Sequence, residues 1–576
     1  MKFSELPYIR PDLDQLRAQC DALCARFENA ASAEEQIAAY QDFEELSKDV
    51  MTNLTIASIR HTVDTRDEFY NAENDFSDEA GPQIEEMFQK FNQALLASKF
   101  RPELEKHYGT LIFKKAEISA RAFSPEILDL MQEENQLASQ YQKLYASGMV
   151  EFRGEKLPLP KLGPYMESPD RTTRREAYAA RASFFEANRA ELDELYGKLI
   201  RCRNEQGRRL GHKNYIQLGY DRLGRNCYTP EDVAAFREQI ARDMVPIVAE
   251  RKQAQKERIG VDRICLYDDK FLFPDGNAKP EGTAEEILAA GKRMYHELSP
   301  ETAEFIDAMF DMELFDVLSK PGKAPGGYCT DLPKYKMPFI FSNFNGTSGD
   351  VDVLTHEAGH AFNAYRVMRK DYPMALMNAT METCECHSMS MEFLTQDYHK
   401  YFFGAQTAKY EQGHCDDALM FIPYGCMVDE FQHLMYENEN MTPDERFEFW
   451  RGELSRCIRC NACRNVCPAC SCEKCVFDKD NSGIAQKAAA DSFEEKMFHI
   501  IRAFHVAGRC TDCGECSRVC PQNIPLHLLN RKFIKDINTF YGDFQAGEDT
   551  ESRAPLTNYT KGDVEPSIVY HKGGKN

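Results

Sequence analysis

Two histidines of this chain are spaced in a way that suits metal binding. His356 and His360 lie four residues apart in the segment V-L-T-H-E-A-G-H-A-F, and Glu357 directly follows the first of them. Residues four apart share one face of an α-helix, so both imidazoles can reach one ion. The H-E-x-x-H pattern is typical of zinc peptidases, in which the glutamate is the general base. The alternative is that both histidines are ordinary core or surface residues of a helix and bind no metal.

A third ligand has to come from another segment, and residues 379–393 offer the candidates. Glu385 and Glu392 are seven residues apart, or two helical turns, and therefore share a face of a Met-rich stretch. Carboxylates rarely lie on such a surface unless they are paired or bound to a metal. Glu385 would complete a His₂Glu set that leaves a fourth position for water, and Glu392 would orient a histidine. Rival ligands in this segment are Cys384, Cys386 and His387.

A second group of metal ligands lies near the C-terminal end. Of the 21 cysteines, eleven fall between Cys457 and Cys520, which in a reducing compartment indicates metal binding rather than disulfides. Two runs of C-x₂-C-x₂-C-x₃-C-P are the pattern that binds two [4Fe–4S] clusters in bacterial ferredoxins, where the fourth cysteine reaches the other cluster. The predicted ligands are Cys457, Cys460, Cys463 and Cys520 for one cluster, and Cys510, Cys513, Cys516 and Cys467 for the other.

Some features of this tail stay open. Zinc is the alternative occupant of any CxxC pair. The remaining thiols are either a substitute ligand set or free: Cys470, Cys472 and Cys475. Residues 484–506 have helical periodicity, and residues 541–576 are expected to be an extended, weakly structured tail.

Composition narrows the possible functions. The chain has 576 residues, 43% of them hydrophobic and 28% charged, which is typical of a soluble globular protein with several domains. Its formal net charge of −23 disfavours nucleic-acid binding. No apolar run is long enough to cross a membrane, and the start lacks the features of a signal peptide, so a cytoplasmic protein is expected.

The elements that must position the candidate site are predicted to be mainly helical. Helices are expected over residues 15–30, over 32–51 with Ser32 as N-cap, and from Pro82 onward. A short strand and loop are expected at 154–160. The arginine-rich segment that starts at Asp170 is predicted to open a long helix with its charges on a solvated face.

The pattern changes shortly before the histidine motif. Residues 321–329 have loop composition, and Phe339 to Asn345 alternate between apolar and polar residues, which indicates a strand. A strand beside the metal-binding helix could bind an extended peptide at a sheet edge. An ordinary core strand is the equally weighted alternative.

Several motifs together resemble the oligoendopeptidase F branch of the thimet-like zinc metallopeptidases. They are P-G-K-A-P-G-G-Y-C at 321–329, T-H-E-A-G-H at 355–360, the Glu385 segment, F-I-P-Y-G at 421–425 and V-D-E-F-Q-H at 428–433. The resemblance runs from near residue 1 to about residue 454. It implies a helical body with a channel for short peptides, zinc bound by His356, His360 and Glu385, and Glu357 as the residue that activates water. Asn363 stands where many relatives have another histidine.

The resemblance ends before a segment that the family uses in catalysis. A tyrosine there, with a histidine nearby, donates a hydrogen bond to the oxyanion, and the chain offers only Tyr328 or Tyr424 as substitutes. Loss of one oxyanion donor costs ~10²–10³ in rate, so an impaired peptidase is expected. The tail that follows resembles dicluster ferredoxin modules of formate dehydrogenase and heterodisulfide reductase systems.

The expected domain order is an N-terminal helical region (1–110), a zinc metallopeptidase region (111–454), a dicluster ferredoxin-type domain (455–540) and the tail (541–576). Three hypotheses follow. The protein is a zinc oligoendopeptidase that carries a redox module, an electron-transfer protein with an inactive peptidase scaffold, or a composite of two genes. Short peptides are the expected substrates, and the clusters would need a redox partner protein.

Overall fold

Long helices form most of the first of two units, which spans Met1–Met441; the second is Thr442–Asn576. In this computed structural model the described residues are 1–370, 372–377, 379–446, 499–500, 502–503, 506, 509–518, 524, 526–541 and 544–546. The mainly helical architecture predicted from sequence is confirmed. No helix in the described part of the chain is long and apolar enough to span a membrane.

Six helices precede the first strand: α1 Leu13–Glu28, α2 Ala33–Val63, α3 Glu68–Leu96, α4 Arg101–Tyr108, α5 Leu111–Arg121 and α6 Leu128–Ala146. Ser32 is the N-cap of α2, as predicted, and its side chain accepts a hydrogen bond from the backbone of Glu35. Helix α1 starts two residues earlier than expected because Asp12 caps it. Apolar side chains from α1, α2 and α3 form a shared core around Phe27 and Phe91.

The helix expected from Pro82 onward in fact begins at Glu68, so Pro82 lies inside α3. A proline there leaves the carbonyl four residues earlier without its helical donor. That carbonyl belongs to Asp78, and it accepts a hydrogen bond of 3.1 Å from Nδ2 of Asn135 on α6. A neighbouring helix therefore satisfies the backbone group that the proline leaves open.

The central helices follow a hairpin of two antiparallel strands, β1 Met149–Phe152 and β2 Glu155–Pro158. They are α7 Gly163–Met166, α8 Arg171–Ala187, α9 Arg189–Arg209, α10 Ile216–Arg222, α11 Pro230–Asp243, α12 Val245–Arg258, α13 Ala284–Leu298 and α14 Pro300–Asp311. Asp170 caps α8, so the predicted long helix is confirmed.

The prediction that the arginines of α8 form a solvated face is wrong for one of them. Arg174 is only 2% exposed, and its guanidinium lies 2.8 Å from Oδ1 of the fully buried Asp268. Arg171 reaches Oδ2 of the same carboxylate at 2.7 Å. Charge density in the sequence did not reveal this partner because Asp268 lies 94 residues further along the chain.

A three-stranded sheet lies beside the histidine motif. Its strands are β3 Phe315–Leu318, β4 Tyr328–Leu332 and β5 Met337–Phe344, in the order β3-β5-β4. Strand β5 pairs in parallel with β3 and antiparallel with β4. The predicted strand therefore exists, but it is the central one and has no free edge; β3 and β4 are the two edge strands of this sheet. This favours the core-strand alternative for residues 339–345.

Four helices complete the first unit: α15 Gly349–Met368, α16 Met381–Leu394, α17 Lys400–Phe403 and α18 Thr407–Glu437. Apolar residues of α13, α14, α15 and β5 share one core, which includes Phe305, Phe341 and Leu354. This core fixes α15 between the sheet and α16.

In the second unit the structure describes α19 Glu515–Arg518 and α20 Leu526–Tyr541. The hydroxyl of Ser517 lies 2.8 Å from Nδ1 of His527, and it accepts a hydrogen bond from the His527 backbone at 2.9 Å. The helix expected over 484–506 falls mostly outside the described residues, as does the tail expected after residue 541.

Candidate active site

The helix that carries the histidine motif starts directly after the central strand. The backbone N–H groups of Asn345 and Gly346 donate to the two carboxylate oxygens of Asp350, each at 2.8 Å. Asp350 lies in the first turn of α15 and is 5% exposed. These bonds fix the turn between β5 and α15 and thereby set where the histidines point.

Helices α15 and α16 approach so closely that only a glycine fits between them. A Cβ placed on Gly359 would lie 2.7 Å from Cα of Ser388 and 2.8 Å from the carbonyl oxygen of His387. Such distances are far below van der Waals contact. Because Gly359 lies between His356 and His360 in sequence, this approach brings the glutamate of α16 to the imidazoles.

The three residues predicted to bind zinc lie together. Oε2 of Glu385 is 3.1 Å from Nε2 of His356 and 3.7 Å from Nε2 of His360. One ligand atom of each residue lies within 4.8 Å of the other two, and no other such set of three occurs in the described part of the chain. Two imidazole nitrogens and one carboxylate oxygen are a donor set that fits a catalytic zinc ion.

Glu392 connects the first histidine to a third helix, α18. Its Oε1 lies 2.6 Å from Nδ1 of His356, and its Oε2 is hydrogen-bonded to Nε2 of His414 on α18. Glu392 and His414 are both buried. A carboxylate on Nδ1 leaves Nε2 of His356 free to bind a metal and fixes the ring.

Sequence patterns did not point to His414 or to two residues near it. Tyr410 donates a 2.5 Å hydrogen bond to Oδ1 of Asp352, which lies one turn before His356. The rings of Tyr410 and His414 are stacked with centroids 5.7 Å apart. Burial raises the pKa of Asp352 to about 7, with the Tyr410 hydroxyl opposing the shift. Tyr410 and His414 are four residues apart and therefore share a face of α18. That spacing was the one signal available in the sequence, and it does not identify the helix that they contact.

Glu357 is placed for proton transfer. It is 8% exposed, and burial raises its pKa to about 7, while His356 opposes the shift and Glu385 adds to it. A carboxylate with a pKa near the working pH is well suited to general base catalysis. A Cβ on Gly327 would lie 3.6 Å from Oε1 of Glu357, so the entry to β4 runs beside this carboxylate.

The rival ligands lie elsewhere. The Cys384 thiol points to the carbonyl of Ala379 at 3.9 Å, and the Cys386 thiol to that of Glu382 at 3.7 Å. Neither cysteine, nor His387, joins the set of three ligand atoms.

Of the two substitute oxyanion donors, Tyr328 is already engaged. Its hydroxyl lies 2.7 Å from Oγ1 of Thr62, and its ring stacks on Phe341 with centroids 4.7 Å apart. Tyr424 lies on α18 with 52% of its surface exposed. Asn363, which replaces a histidine of many relatives, lies on α15.

Three of the predicted cluster ligands lie in the described part of the second unit. Cys516 is buried, with Nδ2 of Asn530 3.7 Å from its sulfur, while Cys510 is half-buried and Cys513 exposed. The others lie outside the described residues, together with the unassigned thiols: Cys457, Cys460, Cys463, Cys467 and Cys520, then Cys470, Cys472 and Cys475.

Family models match most of the chain. The peptidase M3 N-terminal domain matches residues 3–123, peptidase family M3 matches 164–463, and a 4Fe-4S dicluster domain matches 453–524. A crystal structure described as an oligoendopeptidase F from Bacillus anthracis is 44% identical with a TM-score of 0.77, and the match covers 78% of this chain and 83% of that one.

Two curated relatives match different parts of the chain. Oligoendopeptidase F of Lactococcus lactis subsp. cremoris is 25% identical over 254 residues, which is 40% of this chain and 39% of the relative. The F420-dependent formate dehydrogenase subunit beta of Methanocaldococcus jannaschii is 35% identical over 89 residues, or 15% of this chain. The chain spans only 23% of that relative's length.

Proposed function

The chain belongs to peptidase family M3 and is a metallopeptidase with a 4Fe-4S dicluster domain, and we propose that it is a zinc-dependent oligoendopeptidase that hydrolyses short peptides. The observation that carries this proposal is the set of three ligand atoms within 4.8 Å of one another, next to a buried carboxylate.

His356, His360 and Glu385 would hold the zinc ion. When bound there, zinc lowers the pKa of a water molecule to ~7 and polarises the peptide carbonyl. Glu392 keeps the His356 ring in the orientation that directs Nε2 toward Glu385, through the 2.6 Å hydrogen bond at Nδ1. His414 holds the second oxygen of Glu392 and so restricts the rotation of that carboxylate.

Glu357 would act as general base and then as general acid. Its carboxylate accepts a proton from the attacking water and donates it to the amine that leaves when the peptide bond breaks. Glu357 is buried beside the ligands, and burial raises the pKa of its carboxyl group above the ordinary value.

The substrate would bind as an extended strand at the edge of the sheet. Strand β5 is paired on both sides, whereas β3 and β4 each have one neighbour among the described strands. A peptide that pairs with β4 lies beside Glu357, because Gly327 directly precedes this strand. Main-chain pairing tolerates many sequences, which suits an enzyme that degrades varied oligopeptides.

The C-terminal cysteine runs would bind two [4Fe–4S] clusters and exchange electrons with a partner protein. Peptide hydrolysis consumes no electrons, so the clusters take no part in the hydrolytic step proposed here. Electron transfer with an inactive peptidase scaffold is the second candidate, which the same cysteine runs support.

The test uses the full chain purified without oxygen, and it measures zinc content and cleavage of a quenched peptide of about eight residues. Glu357→Gln is expected to keep its zinc and to lose ~10²-fold or more in kcat, the range for loss of a general base. Glu382→Gln is the matched control, because Glu382 lies on α16 but is exposed and pairs with Arg225 instead of the histidines.

A chelator should abolish cleavage by the wild-type protein, and added zinc should restore it. Full cleavage by Glu357→Gln, or cleavage that survives complete removal of zinc, contradicts the proposed mechanism. A brown protein that contains zinc and iron but cleaves no peptide supports the electron-transfer alternative.

A further inference from the structure

A cavity of about 620 Å³ adjoins the entry to β4 and has no role in the steps described above. Its walls include Tyr141 and Tyr145 from α6, Arg181 from α8, and Pro325, Gly326 and Tyr328 from the loop before β4 and the start of that strand. The two α6 tyrosine rings are nearly parallel, with centroids 6.1 Å apart. Sites for small ligands span roughly 300–1,000 Å³, so this cavity fits the end of a peptide rather than a folded segment.

The cavity continues the path of the proposed substrate. Gly326 and Tyr328 line it, and Gly327 between them lies next to Oε1 of Glu357. A peptide that pairs antiparallel with β4 runs toward its own C-terminus as β4 is followed back to Tyr328. Beyond Tyr328, the residues on the C-terminal side of the cut would therefore enter the cavity.

The charges of the cavity favour a carboxylate. Glu167 is the one acidic residue in its wall, and burial raises the pKa of that carboxyl group. Lys270 also lines the cavity, but its ammonium is paired with Asp417 at 2.8 Å. Arg181 has no ion-pair partner among the described residues; its guanidinium lies 5.8 Å from the ring centroid of Phe185.

On these grounds, and building on the proposed peptidase function, we propose that this cavity binds the C-terminal carboxylate of peptide substrates through Arg181. A guanidinium binds a carboxylate with two parallel hydrogen bonds, which a terminal amide cannot reproduce. The tyrosine walls would hold the last side chains of the peptide without strong sequence preference. Arg181 is thus a residue that selects peptides by the distance from the cut to their free end.

The test compares two octapeptides of one sequence, labelled at the N-terminus, one with a free C-terminal acid and the other with an amide. Their Kd values are measured by fluorescence anisotropy on the full-length Glu357→Gln protein loaded with zinc, so binding is read without turnover. The acid is expected to bind roughly five- to tenfold more tightly, the size of one charge-assisted contact that is partly open to solvent.

Adding Arg181→Gln to this protein is expected to bring the acid-to-amide ratio close to one. Arg175→Gln is the matched control. Arg175 lies on the same helix, is exposed and does not line the cavity, and its substitution removes the same charge. Its ratio should remain that of the parent. Any one of three results overturns the proposal. The acid-to-amide ratio is unchanged in Arg181→Gln, the Glu357→Gln protein binds acid and amide equally, or it binds neither peptide.

The two proposals can fail separately. Cleavage by the wild-type protein with no preference between acid and amide refutes the carboxylate site and leaves the peptidase function standing. A preference that depends on Arg181, in a wild-type protein that cleaves neither peptide, refutes the peptidase function and leaves the binding site standing.

Discussion

Oε1 of Glu392 lies 2.6 Å from Nδ1 of His356, while the other oxygen of the same carboxylate is hydrogen-bonded to His414. One buried side chain thus connects the H-E-x-x-H helix, the helix that supplies Glu385, and α18. The position of His356 depends on residues from three separate stretches of the chain.

Glu392→Gln should weaken zinc binding by roughly 10–100-fold, the range for a lost partner of a metal-bound histidine. An amide can still occupy the space, but it does not provide two acceptors for the two imidazoles. Competition with a chromophoric chelator measures the affinity, and Glu382→Gln on the same helix serves as control. Unchanged zinc affinity in Glu392→Gln would show that this contact does not support the metal site.

Gly359→Ala should destabilise the fold and separate the zinc ligands. The new methyl group would meet the backbone of Ser388 and His387 at less than 3 Å, and overpacking of this kind costs about 1–3 kcal/mol. Urea unfolding gives the loss of stability, and zinc content gives the effect on the site. Gly349→Ala is the control, since its Cβ would contact only Oγ1 of Thr347 at 3.4 Å; equal effects of both substitutions would contradict this account.

Asp268→Asn should cost about 3–5 kcal/mol of unfolding free energy at neutral pH, because it leaves the buried Arg174 without its counter-charge. Urea unfolding measures the loss. Asp269→Asn, at a half-exposed neighbour that pairs with Lys252, should have a much smaller effect.

The same residue gives a pH dependence. Burial would raise the pKa of Asp268, but hydrogen bonds from Arg171 and Arg174 lower it below its ordinary value of 3.8. The unfolded chain therefore takes up this proton first as the pH falls, and the stabilisation is lost as the pH drops through the lowered value. The difference in unfolding free energy between wild type and Asp268→Asn should shrink below about pH 4. A difference that stays constant down to pH 2 would rule out this linkage.

Tyr328→Phe should lower kcat by less than about threefold, whereas removal of an oxyanion donor costs ~10²–10³. The reason is that the Tyr328 hydroxyl is bonded to Thr62. Steady-state kinetics on a quenched peptide decide the point, with Thr62→Val as a second variant that removes the same bond. A hundredfold loss confined to Tyr328→Phe would identify it as the donor after all.

The purified protein should contain about eight iron atoms per chain, as two [4Fe–4S] clusters require. Cys516→Ser should lower the iron content and the absorbance near ~400 nm, because it removes a predicted ligand from one cluster. Zinc content should stay unchanged. Cys227→Ser, at an exposed thiol of the first unit, is the control; iron that persists in full in Cys516→Ser would contradict the assignment.

Local spacing was enough to predict the core of the candidate site. His356 and His360 needed only helical periodicity, and Glu385 followed from a carboxylate in an apolar stretch. The N-cap Ser32 and the long helix that opens at Asp170 were likewise visible in the sequence. Such features depend on interactions within a few residues of the chain.

Features that depend on distant contacts were missed. The buried state of Arg174 requires Asp268, and helix α3 continues through Pro82 because Asn135 satisfies the Asp78 carbonyl. The role of His414 becomes apparent only from its hydrogen bond with Glu392 on another helix. Sequence patterns report which face of an element is apolar, but they do not report which polar groups meet across elements.

The proposed pairing of the substrate with β4 has a consequence for which peptides would be cleaved. A helical or tightly turned stretch presents no continuous row of amide groups and has to unravel before it can lie along this strand. A proline at a paired position lacks the N–H that the edge would accept. Peptide bonds should therefore survive longest where a nearby proline occupies a position whose backbone N–H would have to donate a hydrogen bond to β4.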